Sequence, residues 1–392
     1  MDPKAAAQER LKHAGDDLVA LSHRIHANPE LGYEEHLASG WLCEMLSDAG
    51  FKVDAGICDL PTAFVARAGS GPLHVAICAE YDCLPAIGHA CGHNLIAAMA
   101  AGAGIAAARV ADDVGLTVSV FGTPAEEVGN GGGKILLLQR GAFEGVHAAM
   151  MVHPAPVDIL AAAGVALTNF EIRYTGREAH AAASPELGIN AADAMTVAQV
   201  AIGLLRQHLH PHDRIHGIVT NGGSAPNVVP ALTEARYMIR AKTIRDLDRI
   251  QEQVRRCFEA GAMATGAKVE IVGGANNCAE LNNDMQIAAM FASNGQTIGR
   301  HFINLPESLN RPFSTDMGNV SQVIPSIHPM IGIDSLPAVN HQPEFTAHCV
   351  KPAADKAVID GALAMAWTAI DLASEKSTRD RLLGQSRRTV AS

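Results

Sequence analysis

The chain has 392 residues, 48% hydrophobic and 18% charged, an ordinary globular composition with length for two domains rather than one. A formal net charge of −11 would repel a phosphate backbone, and scattered Lys and Arg offer no polybasic run for an anionic membrane, so neither nucleic acid nor membrane is expected as a partner. Met1 to Arg10 lacks the basic flank and apolar stretch of a signal peptide, and eight irregularly spaced cysteines form no CxxC pair, so free thiols in a reducing cytoplasm are expected.

Leu18 to Gly50 reads as an entry segment and helix, interrupted at Asn28-Pro29-Glu30 and resumed on Leu37, Trp41, Leu42, Met45 and Leu46 at helical spacing. Short apolar runs at Thr62 to Arg67, His74 to Ala79 and Leu116 to Phe121 suit strands. Between the last two, Leu95 to Ala108 is rich in Ala and too short for a membrane span, which makes it a buried helix. A helix at Lys134 to Gln139 and a buried strand at Ala148 to Val152 complete an alternation that predicts an α/β layered sheet.

Beyond Gly164 the pattern changes. Strands at Val165 to Thr175, Arg214 to Asn221, Thr233 to Lys242 and Ala267 to Val272 are interleaved with helices at Asn190 to His208 and Ile244 to Thr265. That is β-α-β-β-α-β, the order of a ferredoxin-like unit. The expected organisation is a catalytic domain of residues 1–164 and 279–392 with an inserted domain at 165–278. From Ala279 a helical pattern resumes, with a polar tail after Ser374 that should fray at its end.

Candidate chemistry gathers at strand ends, where open α/β sheets bind ligands. Gly88-His89-Ala90-Cys91-Gly92-His93-Asn94 lies between a strand and a helix and offers a thiolate and an imidazole two residues apart. A buried Cys with a capping His is the plainer alternative. Glu126-Glu127 follows another strand beside Gly129-Asn130-Gly131-Gly132-Gly133; taken alone it is surface charge, in context a metal ligand with a proton carrier. Asp82, His153 and His341 stand at further strand ends or turns, and the coincidence outweighs the plainer reading of each. His208, His210, His212 and His216 lack a Cys or carboxylate motif and read as a solvated turn.

With Asn28 to Glu35, Gly176 to Ala191 and Ser314 to Pro325, these motifs make nearly the whole chain resemble the aminoacylase/carboxypeptidase family of metallopeptidases, in its amidohydrolase branch. The stretch Ala79 to Asn94 is most similar to the Xaa-Arg dipeptidase-like and aminobenzoyl-glutamate hydrolase members. The resemblance implies two divalent cations, zinc or manganese, on Cys91, His93, Glu127, His153 and His341, with Cys91 bridging. Glu126 would be general base and acid, and Asp82 would orient a ligand. It also implies that His180 steadies the oxyanion in its own or a partner subunit, that Asn227 and Arg240 hold a substrate carboxylate, and that the insert serves as lid and homodimer surface. Glu80 and Asn94 depart from the Asp common in the branch, which fits the dipeptidase-like side.

The expected reaction is hydrolysis of the amide of an N-acyl amino acid, dipeptide or aroyl-glutamate by metal-bound hydroxide. A non-catalytic metal- or ligand-binding descendant, and an esterase or deacetylase on the same site, are the alternatives.

Overall fold

The computed structural model describes residues 2–128, 131–304 and 313–385, in two compact units. The first comprises residues up to Val128, Gly132–Gly164 and those from Leu281; the second is Gly131 with Val165–Glu280. Gly129 and Asn130 of the glycine-rich stretch and the last seven residues of the polar tail lie outside the described residues.

In chain order the strands are β1 (Lys52–Ala55), β2 (Phe64–Ala68), β3 (Leu73–Ala79), β4 (Leu116–Gly122), β5 (Ala148–Met150), β6 (His153–Ala155), β7 (Ala166–Thr175), β8 (Arg214–Asn221), β9 (Leu232–Ala241), β10 (Lys268–Gly273), β11 (Ser326–Ile327) and β12 (Met330–Gly332). The first unit is built on a mixed six-stranded sheet of order β1-β2-β4-β3-β5-β11. β4, β3, β5 and β11 run parallel, and β1 and β2 are antiparallel at one edge. β3 and β4 are buried almost throughout, as parallel strands covered on both faces must be. β6 and β12 form a separate parallel pair.

The helix His93–Ala108 is buried from His93 to Ala107, which explains its Ala and Gly content. A Cβ on Gly102 would stand 2.8 Å from Leu18 Cδ1 and 3.0 Å from Ala362 Cβ, so only a hydrogen lets the helices Pro3–Ala27 and Pro352–Ser374 approach it this closely. Pro352–Ser374 is the one described helix long and apolar enough to cross a membrane, and 78% of its apolar window is buried inside the fold.

The second unit is an antiparallel sheet of order β10-β7-β9-β8 with two helices, Ala191–Leu205 and Ile244–Thr265, sharing one apolar core with it. Asn190 caps the first helix, accepting from the Ala192 and Asp193 amides. Thr243 caps the second and Gly266 ends it in the left-handed region. Leu247, Ile250, Val254 and Phe258 form the buried stripe of Ile244–Thr265, at the three- and four-residue spacing that one helix face requires. The sequence pattern and the observed strand order agree on a ferredoxin-like βαββαβ unit inserted in an α/β chain.

Several elements differ from the sequence reading. The first helix begins at Pro3 rather than near Leu18, capped by the Asp2 carboxylate accepting from the Lys4 amide. The run Ala148 to Val152 is a shorter strand, and His153 opens β6 instead of closing β5, because the chain changes partner from Ile327 to Met330 between them. β11 and β12 interrupt the helical C-terminal region.

Candidate metal centre

Because β3, β4, β5 and β11 are parallel, the segments leaving their carboxyl ends emerge at one edge of the sheet: Glu80 to Asp82, Thr123 to Val128, and His328. The helix His93–Ala108 starts there as well, with Gly92 in the left-handed region at φ 80°. A Cβ on Gly92 would lie 2.5 Å from Pro154 Cγ, so this position needs both the conformation and the size of glycine.

Five side chains named from sequence come together here. Cys91 Sγ lies 3.3 Å from His153 Nε2, and the ligating atoms of Cys91, His93 and His153 fall within 4.8 Å of one another. Cys91, Glu127 and His341 form a second such group, with Glu127 Oε1 3.5 Å from His341 Nε2. Cys91 belongs to both, the position a bridging ligand takes. Glu126 joins a third group with His93 and Glu80.

Four of the five candidate ligands are positioned by hydrogen bonds made away from the ligating atom. Asp82 Oδ1 is 2.8 Å from His93 Nδ1, turning Nε2 inward, while Oδ2 accepts from the Glu127 amide at 3.0 Å. His153 Nδ1 is 2.8 Å from the Pro154 carbonyl, which leaves Nε2 to face Cys91. His341, at φ 69°, donates its amide to the Ala90 carbonyl. Asn94 is bonded away from the ligands, donating to Ser22 Oγ and the Cys349 carbonyl.

The donor set fits divalent cations. Glu80 Oε2, His93 Nε2 and Glu127 Oε1 are buried and make no hydrogen bond, although an unsatisfied buried polar group costs about 1–3 kcal/mol. A thiol, imidazoles and carboxylates converging on one space are a donor set suited to divalent cations. Burial and the neighbouring Glu127 push the Cys91 thiol well up, so binding a cation there releases a proton. Burial drives His153 down to about 4, keeping its imidazole neutral as a ligand must be.

The two glutamates sit in one short 3-10 turn and are driven apart. Burial, then the charges of Glu80, Glu127 and Asp316, raise Glu126 well above the ordinary carboxylate range. Burial also opposes ionisation of Glu127, but the neighbouring imidazole of His341 and the charge of His93 prevail and hold it low.

Three residues here had no role assigned from sequence. Glu35 is fully buried; Oε1 accepts from the Ala125 amide at 2.7 Å and Oε2 from Thr62 Oγ1 at 2.8 Å. It thereby fixes Ala125, at φ 60°, immediately before the glutamate pair. Lys134 Nζ, also fully buried, bridges Glu80 Oε1 at 2.5 Å and Asp316 Oδ1 at 2.6 Å. A lysine directly before the apolar run Ile135 to Leu138, in the same short helix, is the sequence signal that points to such a network.

Over 388 residues the chain is 40% identical to Xaa-Arg dipeptidase of Mus musculus, an overlap of 94% of this chain and 88% of that protein, and residues 166–265 match the model for the peptidase dimerisation domain. The chain belongs to the M20 peptidases. It is an amide-bond hydrolase of that family, as its motifs imply. This M20 peptidase is also 34% identical over 276 residues to a component chain of the p-aminobenzoyl-glutamate hydrolase of Escherichia coli, covering 64% of this chain and 56% of that protein. Its fold matches an M20-family protein of Bacillus subtilis described as a dinuclear metal binding peptidase, at TM-score 0.70 and 19% identity, covering 93% of this chain and 99% of that one. It likewise matches an aminobenzoyl-glutamate utilization protein of Klebsiella pneumoniae, at TM-score 0.74 and 16% identity, covering 94% and 98%.

In the inserted unit of this M20 peptidase, His180 lies in the loop after β7, exposed and bridged to Val228. Its Nδ1 accepts from the Ala182 and Ala183 amides at 3.2 and 3.1 Å, which leaves the proton on Nε2. Asn227 is held beside it, its carbonyl accepting from the Ala181 amide. Arg240 lies apart from this loop in sequence and element, half-buried in β9 opposite Leu167 and Arg214. His208, His210, His212 and His216 join no metal-type group among the described residues.

Proposed function

We propose that this M20 peptidase is a di-metal dipeptidase or amidohydrolase acting on a dipeptide, N-acyl amino acid or aroyl-glutamate with a free carboxylate. The observation that carries the reading is that Cys91 Sγ belongs to two ligand groups at once, with Glu126 alongside. Cys91, His93, Glu127, His153 and His341 would hold two zinc or manganese ions. When bound, such ions lower the pKa of a water and polarise the scissile carbonyl.

The remaining steps fall to the chain's own groups. The Glu126 carboxylate accepts the proton of the attacking water and delivers it to the departing nitrogen. Its raised proton affinity beside a low Glu127 supports that division, since paired carboxyls pushed apart mark the acid and the ligand. His180 Nε2–H donates to the developing oxyanion, in its own or a partner subunit, and Asn227 and Arg240 receive the substrate carboxylate. The inserted unit would serve as lid and homodimer surface, a reading supported by its match to a dimerisation domain. The catalytic domain would comprise residues 1–164 and 279–392. A reducing cytoplasm is the compartment we favour, in keeping with eight free thiols.

The similarity to Xaa-Arg dipeptidases makes dipeptides ending in arginine the first substrates to try. The test is metal analysis of the purified protein, then turnover of Xaa-Arg dipeptides, aroyl-glutamates and N-acyl amino acids, each beside a carboxyl-amidated counterpart and a matching ester. We expect two cations per chain, activity lost on chelation, and poor turnover of amidated substrates. A fully metal-loaded protein that cleaves none of the panel refutes the proposal.

A further inference from the structure

The buried network of Glu80, Lys134 and Asp316 borders the metal centre and has no part in the mechanism above. Glu80 follows β3, and its carboxylate is divided between two tasks. Oε1 accepts from Lys134 Nζ at 2.5 Å; Oε2 is fully buried, makes no hydrogen bond and stands 3.3 Å from His93 Nε2, itself buried and without one. The two atoms face each other at 3.3 Å, ion-pair distance when the imidazole is charged, with no hydrogen bond between them, and a cation in that space would be met by both. Glu126 closes the group, with all three ligating atoms within 4.8 Å.

The other end of the network is built with equal care. Asp316 Oδ1 accepts from Lys134 Nζ and Oδ2 from the Lys134 amide at 2.9 Å, so one carboxylate grips both ends of the lysine. A Cβ on Gly132 would come within 2.6 Å of Asp316 Oδ2; glycine there is what admits the grip. Lys134 therefore has a fixed ammonium that can reach only one oxygen of Glu80, and the second oxygen is left turned toward His93.

We propose that Glu80 is a sixth ligand of the centre, its Oε2 binding the cation held by His93, with Lys134 and Asp316 as positioning residues that dictate which oxygen it presents. This rests on the di-metal reading above and adds a ligand that reading does not contain. It also accounts for the lysine, because a buried ammonium is tolerated only where anions enclose it.

The experiment titrates metal-free protein with Co²⁺, reading stoichiometry, affinity and the visible ligand-field spectrum. Glu80→Gln is isosteric, and its amide must turn the carbonyl toward the Lys134 ammonium and its NH₂ group toward the cation, which cannot be bound by it. We expect wild type to take two Co²⁺, and Glu80→Gln to bind one normally and the other at least ~10-fold more weakly, with a changed spectrum. Lys134→Met should weaken the same ion, and the double variant should be no worse than Glu80→Gln alone, a coupling that a merely structural lysine would not give. Circular dichroism of the metal-free variants checks folding; if Glu80→Gln does not fold, the Lys134→Met titration decides by the same criterion. Two Co²⁺ bound by the variants with wild-type affinity and spectrum overturn the inference and leave the di-metal reading standing. Wild type that binds no Co²⁺ removes both.

Discussion

Asp82 is the most economical place to test how the centre is held together. Its carboxylate has two receivers: Oδ1 for His93 Nδ1 at 2.8 Å and Oδ2 for the Glu127 amide at 3.0 Å. Asp82→Asn keeps the volume but supplies one acceptor and one donor, so whichever way the amide turns, one N–H faces an NH₂ group. If His93 loses its partner, its ring and tautomer are no longer fixed. If Glu127 does, the turn carrying both glutamates is released. Loss of such an outer partner costs metal affinity about 10–100-fold, equivalent to about 1.4–2.7 kcal/mol. The orphaned buried donor separately costs about 1–3 kcal/mol of folding stability, which persists without metal. The assay is competition for Zn²⁺ against a chelator of known affinity, alongside urea unfolding of the metal-free protein. Zinc affinity equal to wild type in Asp82→Asn would falsify the reasoning, whatever happened to stability.

Three further outcomes are expected. Glu126→Gln should keep both cations and lose most turnover, whereas Cys91→Ala should lose metal; metal content and rate measured on the same samples separate the two, and near-normal turnover of Glu126→Gln would sink its role. His74, away from the centre, is held down to about 4 from 6.5 by burial, with Arg67 and His147 adding to the effect. Below pH 6.5 the unfolded chain takes up this proton first, so stability falls by about 1.4 kcal/mol per pH unit towards pH 4, a loss approaching ~3 kcal/mol. His74→Asn should flatten that slope by one proton in urea titrations, and an unchanged slope would contradict the assignment. Gly92→Ala combines a left-handed backbone with a Cβ 2.5 Å from Pro154 Cγ, and should cost of order 2–5 kcal/mol, seen as a large drop in melting temperature.

Much of this was legible from residues alone, and the failures have physical causes. Ile244 to Thr265 announced itself because its apolar residues recur at helical spacing, and β7 because it alternates; both are local signals. The helix Pro3–Ala27 reads poorly at its start because its early buried face is Ala6, Ala7 and Ala14 around a single Leu11, and the short side chains carry little contrast. β11 and β12, of two and three residues, are shorter than any period and exist only because β5 and β6 receive them. At the site, the shared placement of these residue types at strand ends already suggested a group, but the role of each residue came only with the family resemblance. Glu35, Lys134 and Asp316 went unassigned for the complementary reason: a buried ion looks like a surface ion until its partners, 54 and 182 positions from Lys134, are in place.

The partners of β5 and β6 have a consequence for how this protein comes into being. His153 is aligned against Met330 and Ala149 against Ser326, so the edge of the first unit stays unsealed until the ribosome has made a segment far downstream. At translation rates of about 5–20 residues per second, the roughly 180 intervening residues take roughly 10–35 s. During that interval the nascent chain carries an open strand edge, the kind that invites pairing with other chains. The inserted unit, whose strands all pair among themselves, can meanwhile complete its own sheet. Assembly of the metal-binding half is thus the final event of synthesis, and chains released early would be candidates for chaperones rather than weakened enzymes.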